Sequence, residues 1–117
     1  MDARVPIWIG PAEAAGPDDA LLIEGGGTVP DGRVYARFVL PEAADHPSGC
    51  ACCLPRGPVA EALTMLFLWR VRGEVQFFPR VVAIPRSAAG IAAIQAALRE
   101  DAMVMARFRL SPEADIR

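Results

Sequence analysis

The three cysteines of this chain, its only ones, lie within four consecutive positions. They are Cys50, Cys52 and Cys53, in the run Gly-Cys-Ala-Cys-Cys. Thiolates are ligands that zinc and copper(I) favour, and three of them with a fourth donor complete a tetrahedral site. Prolines and glycines on both sides predict that residues 42–57 form a loop, which allows the chain to bend around an ion. The sequence therefore predicts a soft-metal site here, with zinc as the first candidate.

The fourth ligand has several candidates. His46 is the only histidine of the chain and lies four residues before Cys50. Imidazole is a donor that suits zinc. Asp45, Glu42, a water molecule or a second subunit would serve as well, and a solvated loop histidine without a ligand role is the alternative interpretation. All of these stay open at this point.

Two other interpretations of the cysteines also stay open. The side chains could be small buried hydrophobic groups in a turn, in a non-catalytic interaction subunit. Cys52 and Cys53 could instead act as vicinal redox thiols, although they lack the C-x-x-C spacing that places a thiolate at a helix N-terminus beside its resolving partner. Because three cysteines cannot all pair within one chain, we expect no disulfide framework and a cytoplasmic location.

Composition excludes several functional classes. The chain has 117 residues, enough for one domain, with 53% hydrophobic and 22% charged residues and a net charge of −2. This balance is typical of a globular protein and argues against a nucleic-acid partner. All 12 basic residues are arginine, so no Schiff-base or phosphate-loop lysine exists. The longest apolar run, residues 63–69, is too short to cross a membrane, and residues 1–6 lack the apolar core of a secretory signal.

Hydrophobic periodicity predicts seven elements. Strands are predicted at residues 5–9, 20–23, 33–40, 75–84 and 102–110, and helices at residues 58–70 and 88–99. Pro58 suits the first turn of the first helix, and Ser87 is a candidate N-cap of the second. The alternation of helix and strand in the second half predicts one small α/β domain with a mostly parallel sheet and two main helices.

The helix predicted at residues 58–70 is apolar almost all round. Such a helix is buried against a sheet or at an interface between subunits. The chain as a whole also has more apolar residues than an average domain. We therefore expect a homodimer or a protein partner.

The remaining polar motifs predict no catalytic site. The acidic pairs at residues 18–19 and 100–101 are interpreted as solvated faces or caps, not as acid–base partners. The stretch at residues 24–27 lacks the spacing of a phosphate-binding turn and predicts a flexible turn. Ser48 has no histidine–carboxylate relay that the sequence can demonstrate, so we do not expect a hydrolase nucleophile.

Several features together resemble a known family. A Gly-Cys-x-Cys-Cys motif begins at Gly49, Arg56-Gly57 follow, a helix starts at Pro58, and a strand beginning near Phe78 ends in valines. Residues 48–110 are in these respects similar to the CobW-type P-loop GTPases that act as metallochaperones. The resemblance implies a P-loop-like α/β layer and a role in metal handling.

The chain departs from this family at the nucleotide site. The family's first strand leads into a glycine-rich phosphate loop that ends in Gly-Lys-Ser/Thr. Residues 11–17 instead contain two prolines, with neither a lysine nor a hydroxyl for magnesium. Pro85-Arg86-Ser87 stand where the family places a glutamate. We therefore expect a degenerate P-loop-like layer that binds metal but no nucleotide, without GTPase or other enzymatic activity. The alternative is a non-catalytic interaction subunit that docks on a partner such as a GTPase relative, with purely structural cysteines.

Overall fold

The computed structural model describes residues 3–29, 31–40 and 57–111. Its strands are β1 (Val5–Ile9), β2 (Ala20–Glu24), β3 (Tyr35–Phe38), β4 (Val81–Ile84) and β5 (Phe108–Leu110), and its helices are α1 (Pro58–Arg72), α2 (Ala88–Glu100) and α3 (Ala102–Arg107). The strands form one sheet in the order β3-β2-β4-β1-β5, and every pair is parallel. The prediction of a single small α/β domain with a mostly parallel sheet is confirmed.

The two faces of the sheet are covered differently. Successive residues of a strand point to opposite faces. One set, which includes Ile7, Leu22 and Phe38, packs with buried residues of all three helices in the main core, and we call this side the helix-covered face. The other set is Trp8, Leu21, Ile23 and Val82. Partly buried residues of the 3₁₀ turn Ala12–Ala14 and of neighbouring loops pack against it, so we call this side the loop-covered face.

Helix α1 has a clear signal at each end. Pro58 occupies its first turn, where a missing N–H leaves no helical bond unmade. At the other end Gly73 takes the left-handed conformation, with φ of 70°, and its N–H donates to Arg70 O. Leu66 is fully buried whereas its neighbour Met65 is 44% exposed. The helix is therefore apolar on both sides but buried on only one.

The strand predicted over residues 102–110 is wrong for its first part, which forms α3. The Asp101 carboxylate accepts hydrogen bonds from Met103 N at 3.0 Å and Val104 N at 3.1 Å, which is how an N-cap starts a helix. Short alternation suggested a strand, but Val104 and Phe108, both buried and four residues apart, also fit helical spacing. Only Phe108–Leu110 remain as β5.

The strand predicted over residues 75–84 begins later than expected, at Val81. The stretch before it is fastened to α1 instead of to the sheet. Arg70 Nε donates to Phe78 O at 2.8 Å, and the Arg70 guanidinium lies 4.3 Å from the centre of the Phe77 ring. Burial lowers the pKa of Arg70. The connection is thus held by a stacked arginine and not by strand pairing.

Candidate functional site

The predicted metal ligands lie outside the described residues. These ligands are Cys50, Cys52, Cys53 and His46. Within residues 3–29, 31–40 and 57–111, no three His, Cys, Asp or Glu side chains come together as a group that could hold a metal ion. Val39 and Pro58, which lie close to the two ends of the cysteine segment, line the same groove. The described residues near both ends of the segment therefore lie beside the same groove.

Glu24, the last residue of β2, joins the carboxyl ends of β2 and β4. Its Oε1 accepts a hydrogen bond from Arg86 N at 2.6 Å, and its Oε2 accepts one from Ser87 Oγ at 2.7 Å. The bond from the Arg86 amide, followed by that from the Ser87 hydroxyl, lowers the pKa of Glu24. Ser87 is the N-cap of α2, and its Oγ accepts from Gly90 N at 2.9 Å. A carboxylate of the protein itself thus occupies the helix end that favours anions.

Glycines and arginines complete this corner. A Cβ on Gly90 would overlap the Glu24 carboxylate, so the close approach needs a residue without a side chain. The turn at residues 25–27, expected to be flexible, is bound by two arginines. Arg37 donates to Gly25 O at 2.9 Å and to Gly27 O, and Arg86 donates to the carbonyl between them at 2.7 Å. Glu24 ends β2, Arg37 lies within β3 and Arg86 is the second residue after β4, so the strand order brings the three together and local sequence spacing gave no signal for it.

The loop after β1 stands where a P-loop protein has its phosphate loop. Gly10 N donates to Ala83 O at 3.0 Å, and Ala14 N donates to Pro11 O at 3.0 Å. These amides are bonded inside the protein, and Pro11 has no N–H. A phosphate cradle needs several amides directed at one point. The amides of Gly10, Ala14, Ala15 and Gly16 in this loop are thus directed at acceptors within the protein.

A buried ion pair holds the loop-covered face. Asp19 is 6% exposed, and its Oδ2 accepts from Arg80 Nε at 2.9 Å and from Gly16 N at 2.8 Å. The Arg80 guanidinium lies 5.1 Å from the centre of the Trp8 ring, and Arg33 donates to Asp19 O at 2.9 Å. The sequence predicted the adjacent acidic residues 18–19 to be a solvated or capping pair. This is wrong for Asp19, whose partner Arg80 is 61 residues away. Sequence spacing carries no signal for such a distant pair.

An open groove of about 710 Å³ runs between β3 and α1. Its apolar lining includes Tyr35, Val39 and Met65, which are 40%, 70% and 44% exposed. Arg37 and Glu61 contribute one charge of each sign. β3 ends the sheet, and among the described residues no strand pairs with its outer edge. The sequence predicted a helix that is apolar almost all round, and part of its exposed apolar surface, at Met65, lies in this groove.

No family model, curated protein or solved structure matches this chain. The resemblance of residues 48–110 to the CobW-type family therefore remains a prediction. None of the helices in the described ranges combines the length and apolar character needed to cross a bilayer.

Proposed function

We propose that this chain is a cytoplasmic metal-binding protein that coordinates one soft divalent ion, zinc first, and has no enzymatic activity. Cys50, Cys52 and Cys53 supply three thiolates, and His46 is the candidate fourth ligand. The observation that carries the proposal is the donor set: three thiolates within four positions match the preference of zinc for sulfur. The likeness to CobW-type metallochaperones supports a role in metal handling.

The described fold supports a site at this place. In open parallel sheets, ligands bind outside the carboxyl ends of the strands. The cysteine segment follows β3 in the chain, and the described residues Val39 and Pro58 on either side of it line one groove beside that strand.

The same edge of the sheet argues against a nucleotide. Phosphates would compete with the Glu24 carboxylate, which already accepts bonds from Arg86 N and Ser87 Oγ. The amides of the loop after β1 bond to the protein, as described above for Gly10. Negative charge placed at an anion site repels a second anion. We therefore propose that the chain binds its metal without the help of a bound nucleotide.

Binding would be coupled to protons. A free thiol has a pKa of about 8.5, and only the thiolate is a zinc ligand, so each ligating cysteine gives up a proton. Affinity should therefore rise with pH. This dependence comes mainly from Cys50, Cys52 and Cys53, and the imidazole of His46 adds to it in acid because only its neutral form is a ligand.

Elemental analysis of protein purified without added metal tests the proposal. We expect about one zinc per chain, lost in Cys52→Ser and retained in the neighbouring control Ser48→Ala. His46→Asn tests the fourth ligand by the extent of zinc loss. Wild-type protein that contains no metal when purified, and that still unfolds cooperatively, would contradict the proposal. A cysteine titrating well below its free value without metal would favour the redox alternative.

A second candidate function, an interaction subunit that pairs with a second copy of itself, is favoured by the groove between β3 and α1. A two-fold axis beside the outer edge of β3 would pair identical edges and place Tyr35, Val39 and Met65 of both copies in contact. Light scattering tests this. Met65→Asp should yield monomer, whereas Val71→Asp, on the same helix but outside the groove, should not. A wild-type monomer at high concentration would exclude it.

A further inference from the structure

The outward side of α1 carries apolar residues where a surface helix is normally polar. Successive helical residues are rotated by about 100°, so positions 61, 65, 68 and 72 lie on one line along the helix. We call these residues, Glu61, Met65, Leu68 and Arg72, the outer stripe of α1. The buried residues Val59, Leu63 and Leu66 lie on the opposite side of the helix. The outer stripe therefore faces away from the core.

The outer stripe has an apolar centre and one charge at each end. Glu61 lies in the first turn of α1 and Arg72 in the last, and both are exposed. Across the described ranges neither side chain has an ion-pair partner. The helix dipole favours an acid at the first turn and a base at the last, which accounts for the two charges. It does not account for Met65, which is 44% exposed, or for the half-buried Leu68 between them.

This arrangement is complementary to itself. In a two-fold interface, residue i of one copy contacts residue j of the other, and j contacts i. When two copies of α1 lie antiparallel, Glu61 faces the partner's Arg72 and Met65 faces the partner's Leu68, and each contact occurs twice. A parallel arrangement would place like charges together instead. The outer stripe therefore fits a second copy in one orientation.

We infer that two copies of this chain pair through antiparallel α1 helices, with Glu61 bonded to the partner's Arg72 across a contact of Met65 with the partner's Leu68. The inference rests on the second candidate function, the pairing of two copies beside β3, and names what orients them. Met65 belongs both to the outer stripe and to the groove between β3 and α1, so the two surfaces are continuous. The apolar contact holds the copies together, and the charges select the antiparallel orientation.

Sedimentation equilibrium of the full chain, kept reduced so that no disulfide joins two copies, tests the inference by charge exchange. Glu61→Arg and Arg72→Glu each bring like charges together twice, so each should weaken dimerisation by about tenfold or more. The double variant exchanges both charges and should return to within about threefold of the wild-type dissociation constant. Glu13→Arg and Arg99→Glu, exposed changes of the same kind away from α1, should leave that constant unchanged.

Mixing the two single variants provides a second measurement. Glu61→Arg presents two arginines and Arg72→Glu two glutamates, so the mixture should form a heterodimer more tightly than either variant pairs with itself. A dimer that neither single variant weakens, or that the double variant fails to restore, would overturn the inference. If Met65→Asp still dissociated that dimer, the pairing beside β3 would stand without this orientation. A wild-type monomer at high concentration would exclude both.

Discussion

The two faces of the sheet are stabilised by different kinds of interaction. On the helix-covered face, buried side chains from three helices and five strands fill one continuous core. On the loop-covered face, among residues 3–29, 31–40 and 57–111, the buried cluster of apolar side chains is limited to Trp8, Leu21, Ile23 and Val82, and the ion pair of Asp19 with Arg80 lies beside it. The stability of the helix-covered face therefore comes from close packing of apolar side chains. That of the loop-covered face depends more on hydrogen bonds and an ion pair.

This difference explains how so short a chain forms a five-stranded parallel sheet. Such sheets are normally covered on both faces by helices. Here β1 and β2 are joined by a 3₁₀ turn with no α-helix, although β4 lies between them in the sheet. The Arg80 guanidinium over Trp8 covers apolar surface that a helix would otherwise cover. Since no α-helix follows β1 before β2, the loop there does not precede a helix N-terminus of the kind that phosphate loops use.

The largest effect is expected in the helix-covered core. Leu66→Ala removes a fully buried side chain of α1 and should lower the free energy of unfolding by about 2–5 kcal/mol, because it leaves a cavity. The adjacent Met65→Ala, at a 44% exposed position, should change it by about 0.5 kcal/mol or less. Urea denaturation measures both. Similar losses at the two positions would mean that α1 does not pack as described.

On the loop-covered face the sensitive group is polar. Asp19→Ala removes the acceptor for Arg80 Nε and Gly16 N, and should cost about 1–3 kcal/mol because buried donors are left unsatisfied. Asp18→Ala is the matched control at an exposed position. If the two variants unfold at the same urea concentration, the ion pair does not hold this face. High salt should weaken the pair only slightly, since buried charges are poorly screened.

An effect of intermediate size is expected at the carboxyl end of β2, where Glu24 contacts the start of α2. A double-mutant cycle isolates this contact. Gly90→Ala displaces the carboxylate and should lower the free energy of unfolding, despite the higher helix propensity of alanine. In a Glu24→Ala background the same change should instead stabilise, by about 0.5–1 kcal/mol. A sign that stays the same in both backgrounds contradicts the described geometry.

The smallest effect is a pH dependence at this position. The amide of Arg86 and the hydroxyl of Ser87 lower the pKa of Glu24 below its ordinary value of 4.5. The contact therefore stabilises the fold above that pH, and the contribution is lost as pH falls through the lowered pKa. Urea midpoints of wild type and Glu24→Gln should differ by a constant amount near neutrality and converge in acid. A difference that grows in acid would have the wrong sign.

Local signals predicted much of the fold. The first strand at residues 5–9, the N-cap role of Ser87 and the start of α1 at Pro58 all match the structure. Each depends on adjacent residues, so a short window of sequence is enough. The strand predicted at residues 102–110 failed because the capping bonds of Asp101 outweighed a brief alternation.

Contacts between distant residues could not be predicted. The pairs of Asp19 with Arg80 and of Glu24 with Arg86 join residues about sixty positions apart, and only the strand order brings them together. The metal site is the opposite case, because the sequence predicts it and the described residues do not include it. Its candidate ligands, Cys50, Cys52, Cys53 and His46, were predicted from local spacing alone, and they lie outside the described residues.

Calorimetric titration of the metal-free, reduced protein with zinc is the sharpest test of the proposed metal site. Two buffers of different ionisation enthalpy, at the same pH, give the number of protons released. We predict one saturable site with release of about three protons, since three thiols must ionise, and no heat of binding for magnesium-GTP. Absence of a saturable zinc site, or zinc binding without proton release, would contradict it.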